Sequence, residues 1–551
     1  MHLATPALAL LTAFAGVAEA KTAAEWRSRS IYQLFTDRFA MADGSSPVCN
    51  LGERKYCGGN WQGIQNKLSY ITDLGFDAIW ISPIVACTEA LTQYGQSYHG
   101  YWTVDINKLN PHFGTANDLK NLVAAAHAQD VLVMIDLTIN SMAYPGAHDK
   151  VDYSTFQSPF NKASAYHQWC WIDYTNATSI LECWLGDDNV ALLDVKTEDS
   201  GIRSTYQNWI KNIQATYNVD GMRIDALKSI EIPFFPDFQK AAGMFGLGEN
   251  YQADPTMNCA YQPAVDGLLN FPLYYGALFA FNGTGGGMDN LAMLIKANSG
   301  NCTDVSLLGN FLENHDVPRY AASTNDQHQR LNAFAFTFVM DGMPVVYYGQ
   351  EQSFTGTADP LNREALWPSG YDEKNPYYQA IKALNAVRKN CIATDATFLT
   401  TETTILQHDI KRMVLQKGDL LSILSNDGIY GSNETYAIPK TGYAGNTELI
   451  EVLSQNRTTT DASGALSIKL KAGAPLIFWP YSKWNSAISR PNLDIVIDTR
   501  TTATTTVTTK FFYPTAQSIR SDALQKSSMS LASLIASLVA GAAVLGAFVV
   551  A

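Results

Sequence analysis

The chain has 551 residues, 46% of them hydrophobic, and a net charge of −13. That is longer than an ordinary single domain, with apolar residues enough for a large core. The negative charge argues against nucleic acid as a partner, and the eight cysteines, with no CxxC or Cys/His zinc spacing, point to disulfides rather than a zinc fold.

Residues 2–17 are almost wholly apolar and end at Ala18-Glu19-Ala20, so residues 1–20 are expected to be a secretory signal peptide. From about Ile31 to Arg388 strand-like runs alternate with helix-like runs: AIWISP, then ANDLKNLVAAAHAQ, then VLVMIDLT, and later MPVVYYGQE. This alternation is the α/β signature and assigns residues 21–392 to one α/β domain. The rhythm breaks over residues 140–194, where aromatics, turn formers and two cysteines predict a small inserted domain after the third strand. Residues 393–481 carry short alternating strands such as RMVLQ and APLIFWP, which predict a β-sandwich.

Residues 482–526 are polar and centred on TRTTATTTVTT, the composition of a glycosylated stalk rather than a core. The last stretch, residues 527–551, is an apolar tail with no basic residue behind its apolar run. Together with small residues at Ser521-Asp522-Ala523 it predicts a GPI signal with Ser521 as the attachment site. The expected location is the outer face of the plasma membrane or the cell wall, held by lipid. A monomer is expected.

Four apolar runs end in acidic or amide residues: VLVMIDLTIN, VDGMRIDALK, MFGLGEN and NFLENHDVPR. Each reads as a buried parallel strand with chemistry at its C-terminal end. In a (β/α)8 TIM barrel all such ends open on one face. They would bring together Asp136, Arg223, Asp225, Glu249, His315 and Asp316. Arg223 and Asp225 lie two apart on a strand and point the same way, so the cation should keep Asp225 ionised and fit to be a nucleophile. Glu249 ends an apolar strand, surroundings that favour a protonated carboxyl and suit a general acid. Several carboxylates, one arginine and one histidine are the groups of glycoside chemistry.

The cysteines suggest Cys49–Cys57, Cys170–Cys183 and Cys259–Cys302. Cys87 and Cys391 would pair only if the fold brought them together. Sequons stand at Asn176, Asn282, Asn301, Asn433 and Asn456.

The stretches IYQLFTDRFA, YHGYW (Tyr98–Trp102), CWLGDDNVALLD, GMRID, GEN, ENHDVPR and DPLNREALWPSGY occur in one order over roughly residues 25–480. With these motifs the chain resembles the α-amylase family of glycoside hydrolases, in particular its secreted fungal members. The resemblance implies Asp225 as nucleophile, Glu249 as acid/base and Asp316 as transition-state stabiliser, with Arg223, His315 and Lys228 beside them. It implies that His99, Tyr101 and Trp102 line the subsite of the reacting sugar, and that Asp359 and Arg363 grip the sugar on its non-reducing side. It also implies one calcium ion near Asn140, Asp194 and the backbone oxygen of Ser229.

Two departures stand out. Ser141 follows Asn140 where the family has a histidine that touches the sugar, and Leu181 falls where an acidic calcium ligand is expected, with Glu182 next door. A weakened calcium site is therefore expected. A subset of the family that combines a GPI signal with loss of that histidine resembles 4-α-glucanotransferases of cell-wall α-glucan. The expected substrate is an α-1,4-glucan or maltooligosaccharide. The alternatives are an ordinary secreted endo-acting α-amylase or an inactive glucan-binding wall protein.

Overall fold

Eight short parallel strands close into a barrel in chain order, the first bonded to both the second and the last. They are β1 (Ile31–Leu34), β2 (Ala78–Ile81), β3 (Leu132–Leu137), β4 (Gly221–Ile224), β5 (Phe245–Gly248), β6 (Gly267–Leu269), β7 (Leu308–Asn310) and β8 (Met343–Tyr347). Every residue of these strands is buried, which is why their sequences are continuous apolar runs rather than alternating ones. The computed structural model describes residues 21–283 and 287–484. The segment expected to be a signal peptide, most of the expected stalk and the tail with Ser521 lie outside the described residues.

Local chemistry starts the crossover helices. Thr115 and Asp118 form a reciprocal capping box at the head of Ala116–His127. The side chain of Asp199 accepts from Gly201 and Ile202 at the head of Ser200–Tyr217. Between β3 and β4 the chain makes a three-stranded antiparallel sheet from Ser141–Tyr144, Leu185–Gly186 and Ala191–Asp194. This inserted segment also carries the Cys170–Cys183 bridge.

Helix Pro376–Thr394 follows the barrel, and antiparallel strands begin at Thr404. Six of them form one sheet, and Thr435–Ile438 with Leu466–Lys469 form a second. Val414, Leu421, Ile438, Leu449, Leu466 and Phe478 fill one core between the two sheets, giving a sandwich. The sandwich is keyed to the barrel by polar contacts. Buried Asp341 accepts from the Thr403 amide at 2.9 Å and pairs with the Lys417 ammonium. Asn332 donates to the Gly473 carbonyl and accepts from the Ser425 amide, both at 2.7 Å.

The disulfides Cys49–Cys57, Cys170–Cys183 and Cys259–Cys302 are formed. Cys87 and Cys391 are free and buried in separate places, and burial pushes the Cys87 thiol up to about 12. Asn176, Asn301, Asn433 and Asn456 are exposed, whereas Asn282 is half-buried. Among the described residues no helix is long and apolar enough to cross a membrane.

Candidate active site

The site is organised around Arg223. Strands β3 and β4 pair in a register that sets Asp136 opposite Arg223. The Arg223 Nη1 donates to Asp136 Oδ1 at 2.9 Å and to Asp225 Oδ1 at 2.7 Å, while Nη2 lies 2.8 Å from Glu249 Oε1. One guanidinium thus serves three carboxylates from three consecutive strand ends. Asp136 is also bound by Trp80 Nε1 at 2.9 Å and the Tyr101 hydroxyl at 2.7 Å, so it positions Arg223 and has no free face for substrate.

The chain turns sharply after Asp225. Ala226 is in the left-handed region with φ 48°, a conformation that costs a non-glycine residue of order 1 kcal/mol. The turn aims the Ala226 N–H at Glu249 Oε2, 3.1 Å away, and the next amide, Leu227, donates to the Glu249 carbonyl at 2.9 Å. Strain on β4 thereby fixes the carboxylate that ends β5.

After β7, the Asn314 side chain accepts from the amides of Asp316 and Val317 and folds the NHD stretch into a tight turn. Gln33 donates to His315 Nδ1 at 3.0 Å, which leaves the Nε2 proton facing Asp316 Oδ2 at 3.0 Å. Burial and the charges of Arg223 and Arg363 hold the imidazole well below its ordinary range, so it is neutral. Arg363 reaches Asp316 at 3.5 Å and donates to the His315 carbonyl at 3.1 Å.

The electrostatics differ from the expectation that Arg223 alone sets the state of Asp225. Burial pushes the Asp225 carboxyl well up, with Arg223 opposing and Glu249, Asp136 and Asp316 adding to the rise. Asp316 is pushed up to about 7 by burial and by Glu249. Burial and neighbouring carboxylates thus favour the protonated forms of Asp225 and Asp316, and Arg223 opposes them.

Tyr101 stacks on His315 at 5.0 Å, and its amide donates to His99 Nδ1 at 3.0 Å. Trp102 lies edge-on to His99 at 4.6 Å and packs with Ala143 and Val190 of the inserted segment. Ser141 is two residues from Ala143 on the same strand and so shares its face. Lys228 lies within reach of the charge of Glu249. Its Nζ reaches the Tyr251 carbonyl at 3.5 Å, with the rings of Tyr174 and Tyr251 at 5.3 and 5.7 Å. Tyr174 is 47% exposed there, an open aromatic face that nothing in its local sequence marks out.

The comparisons agree with this geometry. Residues 33–413 match the family described as alpha amylase, catalytic domain, and residues 405–488 match alpha-amylase, domain C. The chain belongs to the α-amylase family. It is 43% identical to Alpha-amylase 2 of Schwanniomyces occidentalis over 84% of this chain and 92% of that one. It is 42% identical to the Alpha-amylase of Saccharomycopsis fibuligera, covering 83% and 92% respectively. The solved α-amylase of Malbranchea cinnamomea superposes with a TM-score of 0.82 at 42% identity, covering 84% of this chain and 98% of that one. The chain is therefore an α-amylase-family glycoside hydrolase.

An α-amylase-family chain raises the question of calcium. Asp194 is fully buried and its Oδ1 has no hydrogen-bond partner, an environment that suits a cation. The helix Ala177–Glu182 of the inserted segment packs against the turn Leu227–Ser229. The remaining donors are sparse. Leu181 is apolar, Glu182 is not aimed into the site by any contact, and His167 Nδ1 takes Asp194 Oδ2 at 2.6 Å. Among the described residues no group of three or more acidic, histidine or cysteine side chains converges as a metal cluster. A calcium ion bound here would have Asn140, Asp194 and the Ser229 carbonyl as its expected ligands, few of them charged, and would pin the inserted segment to the barrel.

Proposed function

We propose that this enzyme cleaves α-1,4-glucosidic bonds of starch-type glucans and maltooligosaccharides with retention, and that it has strong 4-α-glucanotransferase activity. The observation that carries the reading is the triple use of Arg223. It holds Asp225 and Glu249 on its two terminal nitrogens, as near neighbours, with Asp316 adjoining through His315. Retention needs two such carboxyls about 5–5.5 Å apart.

In the first step the free oxygen of Asp225 attacks the anomeric carbon while the bond to the leaving oxygen breaks. Glu249 gives that oxygen its proton. In the second step water or a sugar hydroxyl attacks the glycosyl ester, its proton passes to Glu249, and Asp225 leaves as carboxylate. Asp316 and neutral His315 hold the hydroxyls of the reacting ring, and Tyr101 stacks over it. Lys228 and Tyr174 form the side on which an acceptor sugar binds. Ser141, in place of a longer donor, removes one contact to the transition state. Hydrolysis then slows, and a well-bound acceptor competes with water.

Secretion and a GPI anchor would place this activity at the wall, where α-glucan chains serve as both donor and acceptor. Incubation with maltopentaose and chromatography of the products tests the reading. Chains longer than the donor support transfer, exclusively shorter ones an ordinary α-amylase, and no products a binding protein.

A further inference from the structure

Past Asp316 the cleft carries a chain of alternating charge. Arg363 Nη1 lies 2.8 Å from Asp359 Oδ1, and Arg54 Nη1 lies 2.6 Å from Asp359 Oδ2. The Arg54 Nη2 also donates to the Asp359 carbonyl at 3.3 Å, and the Tyr98 hydroxyl donates to Oδ1 at 3.3 Å. Both carboxylate oxygens of Asp359 are thus taken. Yet the Asp359 and Arg54 side chains are 20% and 25% exposed, so the pair sits at the edge of the cleft rather than in the core.

Arg54 is held firmly from behind. Its loop is closed by Cys49–Cys57, and its backbone is left-handed with φ 50°. Its carbonyl accepts from the Gln96 amide at 2.8 Å. Gly95 packs so closely that a Cβ there would meet the Arg54 carbonyl oxygen at 2.2 Å. The neighbouring Tyr94 donates to Asp187 of the inserted segment, and Asn189 donates to the Tyr94 hydroxyl at 3.0 Å.

The contacts run without a break from the loop after β8 (Asp359), through the loop after β1 (Arg54) and the loop after β2 (Tyr94), to the inserted segment (Asp187). They join the two walls of the cleft. The end they join is the one reached through Asp316. Glu249 protonates the leaving group, so its neighbours Lys228, Tyr174 and Tyr251 mark the leaving-group side and the bridge lies at the non-reducing end.

We propose that Arg54 is a specificity-determining residue that closes the non-reducing end of the cleft, so that the enzyme accepts short donor segments. The inference rests on the α-glucan reading of the site. A longer donor must pull the guanidinium from Asp359 and replace it with a hydroxyl. That exchanges an ion pair, in which donor and acceptor are both charged, for a hydrogen bond in which only the carboxylate is charged.

The test compares wild type, Arg54→Ala, Arg54→Gln and Asp359→Asn on maltotetraose and maltoheptaose, reading kcat/KM and which bond is cut. Arg54→Gln keeps a polar side chain in the loop in case alanine loosens it, and disulfide mapping with a melting curve checks each fold. Arg54→Ala and Arg54→Gln should raise the maltoheptaose-to-maltotetraose ratio of kcat/KM by roughly tenfold. They should also move the preferred cut away from the non-reducing end, and Asp359→Asn should shift it in the same direction. An unchanged ratio and cutting position in both Arg54 variants, or an equal loss on both donors, overturns the proposal. A wild-type enzyme inert on both sugars overturns the α-glucan reading itself, and the role of Arg54 with it.

Discussion

Asp136 and Arg223 face each other across neighbouring strands in register, and their side chains meet as an ion pair with no exposure on either side. That pair gives the site its rigidity. Removing one partner of a buried pair leaves the other uncompensated, at a cost of about 3–5 kcal/mol. Arg223→Gln should therefore destabilise the fold by roughly that amount, and the double variant with Asp136→Asn should lose less than the sum of the two singles. Chemical denaturation of the four proteins measures both, and additive losses would mean that the two side chains are not coupled.

Asp225→Asn should lower turnover by about 10³-fold or more while leaving the circular dichroism unchanged. The first-formed product of the wild type should have the α configuration, as double displacement requires. Proton NMR during hydrolysis reads this directly, and a β product would reject Asp225 as nucleophile.

The pH profile follows from Asp316. Its carboxyl is pushed up to about 7, above its value in the unfolded chain, so it holds a proton below neutrality and loses it as pH rises through about 7. Each proton lost adds a negative charge around the one guanidinium and removes a donor to the sugar. Activity should be highest on the acid side of neutrality and fall through about pH 7. A kcat/KM that still climbs between pH 7 and 9 would contradict this.

With few charged ligands, calcium should bind weakly but still contribute. Excess EDTA should lower the melting temperature by a few degrees, and added calcium should restore it with a midpoint at higher concentration than in relatives with the acidic ligand. Leu181→Glu should tighten binding. A melting curve indifferent to EDTA would rule out a structural ion at Asn140 and Asp194.

Ser141 is shorter than the histidine that the family resemblance implies at this position, and the missing donor should cost the transition state ~1–3 kcal/mol, or roughly one to two decades in rate. Starch hydrolysis should be slow, with longer chains accumulating from maltopentaose. Ser141→His should shift the products toward hydrolysis, and an unchanged product ratio would place the determinant elsewhere.

The barrel was legible because its strands are buried on both faces, which writes each of them as an unbroken apolar run. The four strand ends point to Asp225, Glu249 and Asp316, since a barrel gathers such ends on one face whatever lies between them. The contacts of Arg54 were not legible. Its partner Asp359 is 305 residues away, and no periodicity links two loop residues. Gln33 on His315 and Trp80 on Asp136 were hidden for a related reason. Both sit inside strands, where a polar or aromatic residue reads as ordinary packing. The rise of the Asp225 carboxyl runs against the sequence expectation because sequence gathers the three other carboxyls on the same face but shows neither how close they come nor the loss of water, which is the largest cause.

Asp341 lies just before β8, and its compensating charge, Lys417, is supplied by the sandwich. A chain cut short after helix Pro376–Thr394 would therefore carry a naked carboxylate in the floor of its catalytic barrel. The C-terminal sandwich thus supplies a charge that the barrel itself lacks at this point, and exchanging it between relatives should call for exchanging the charge at position 341 with it.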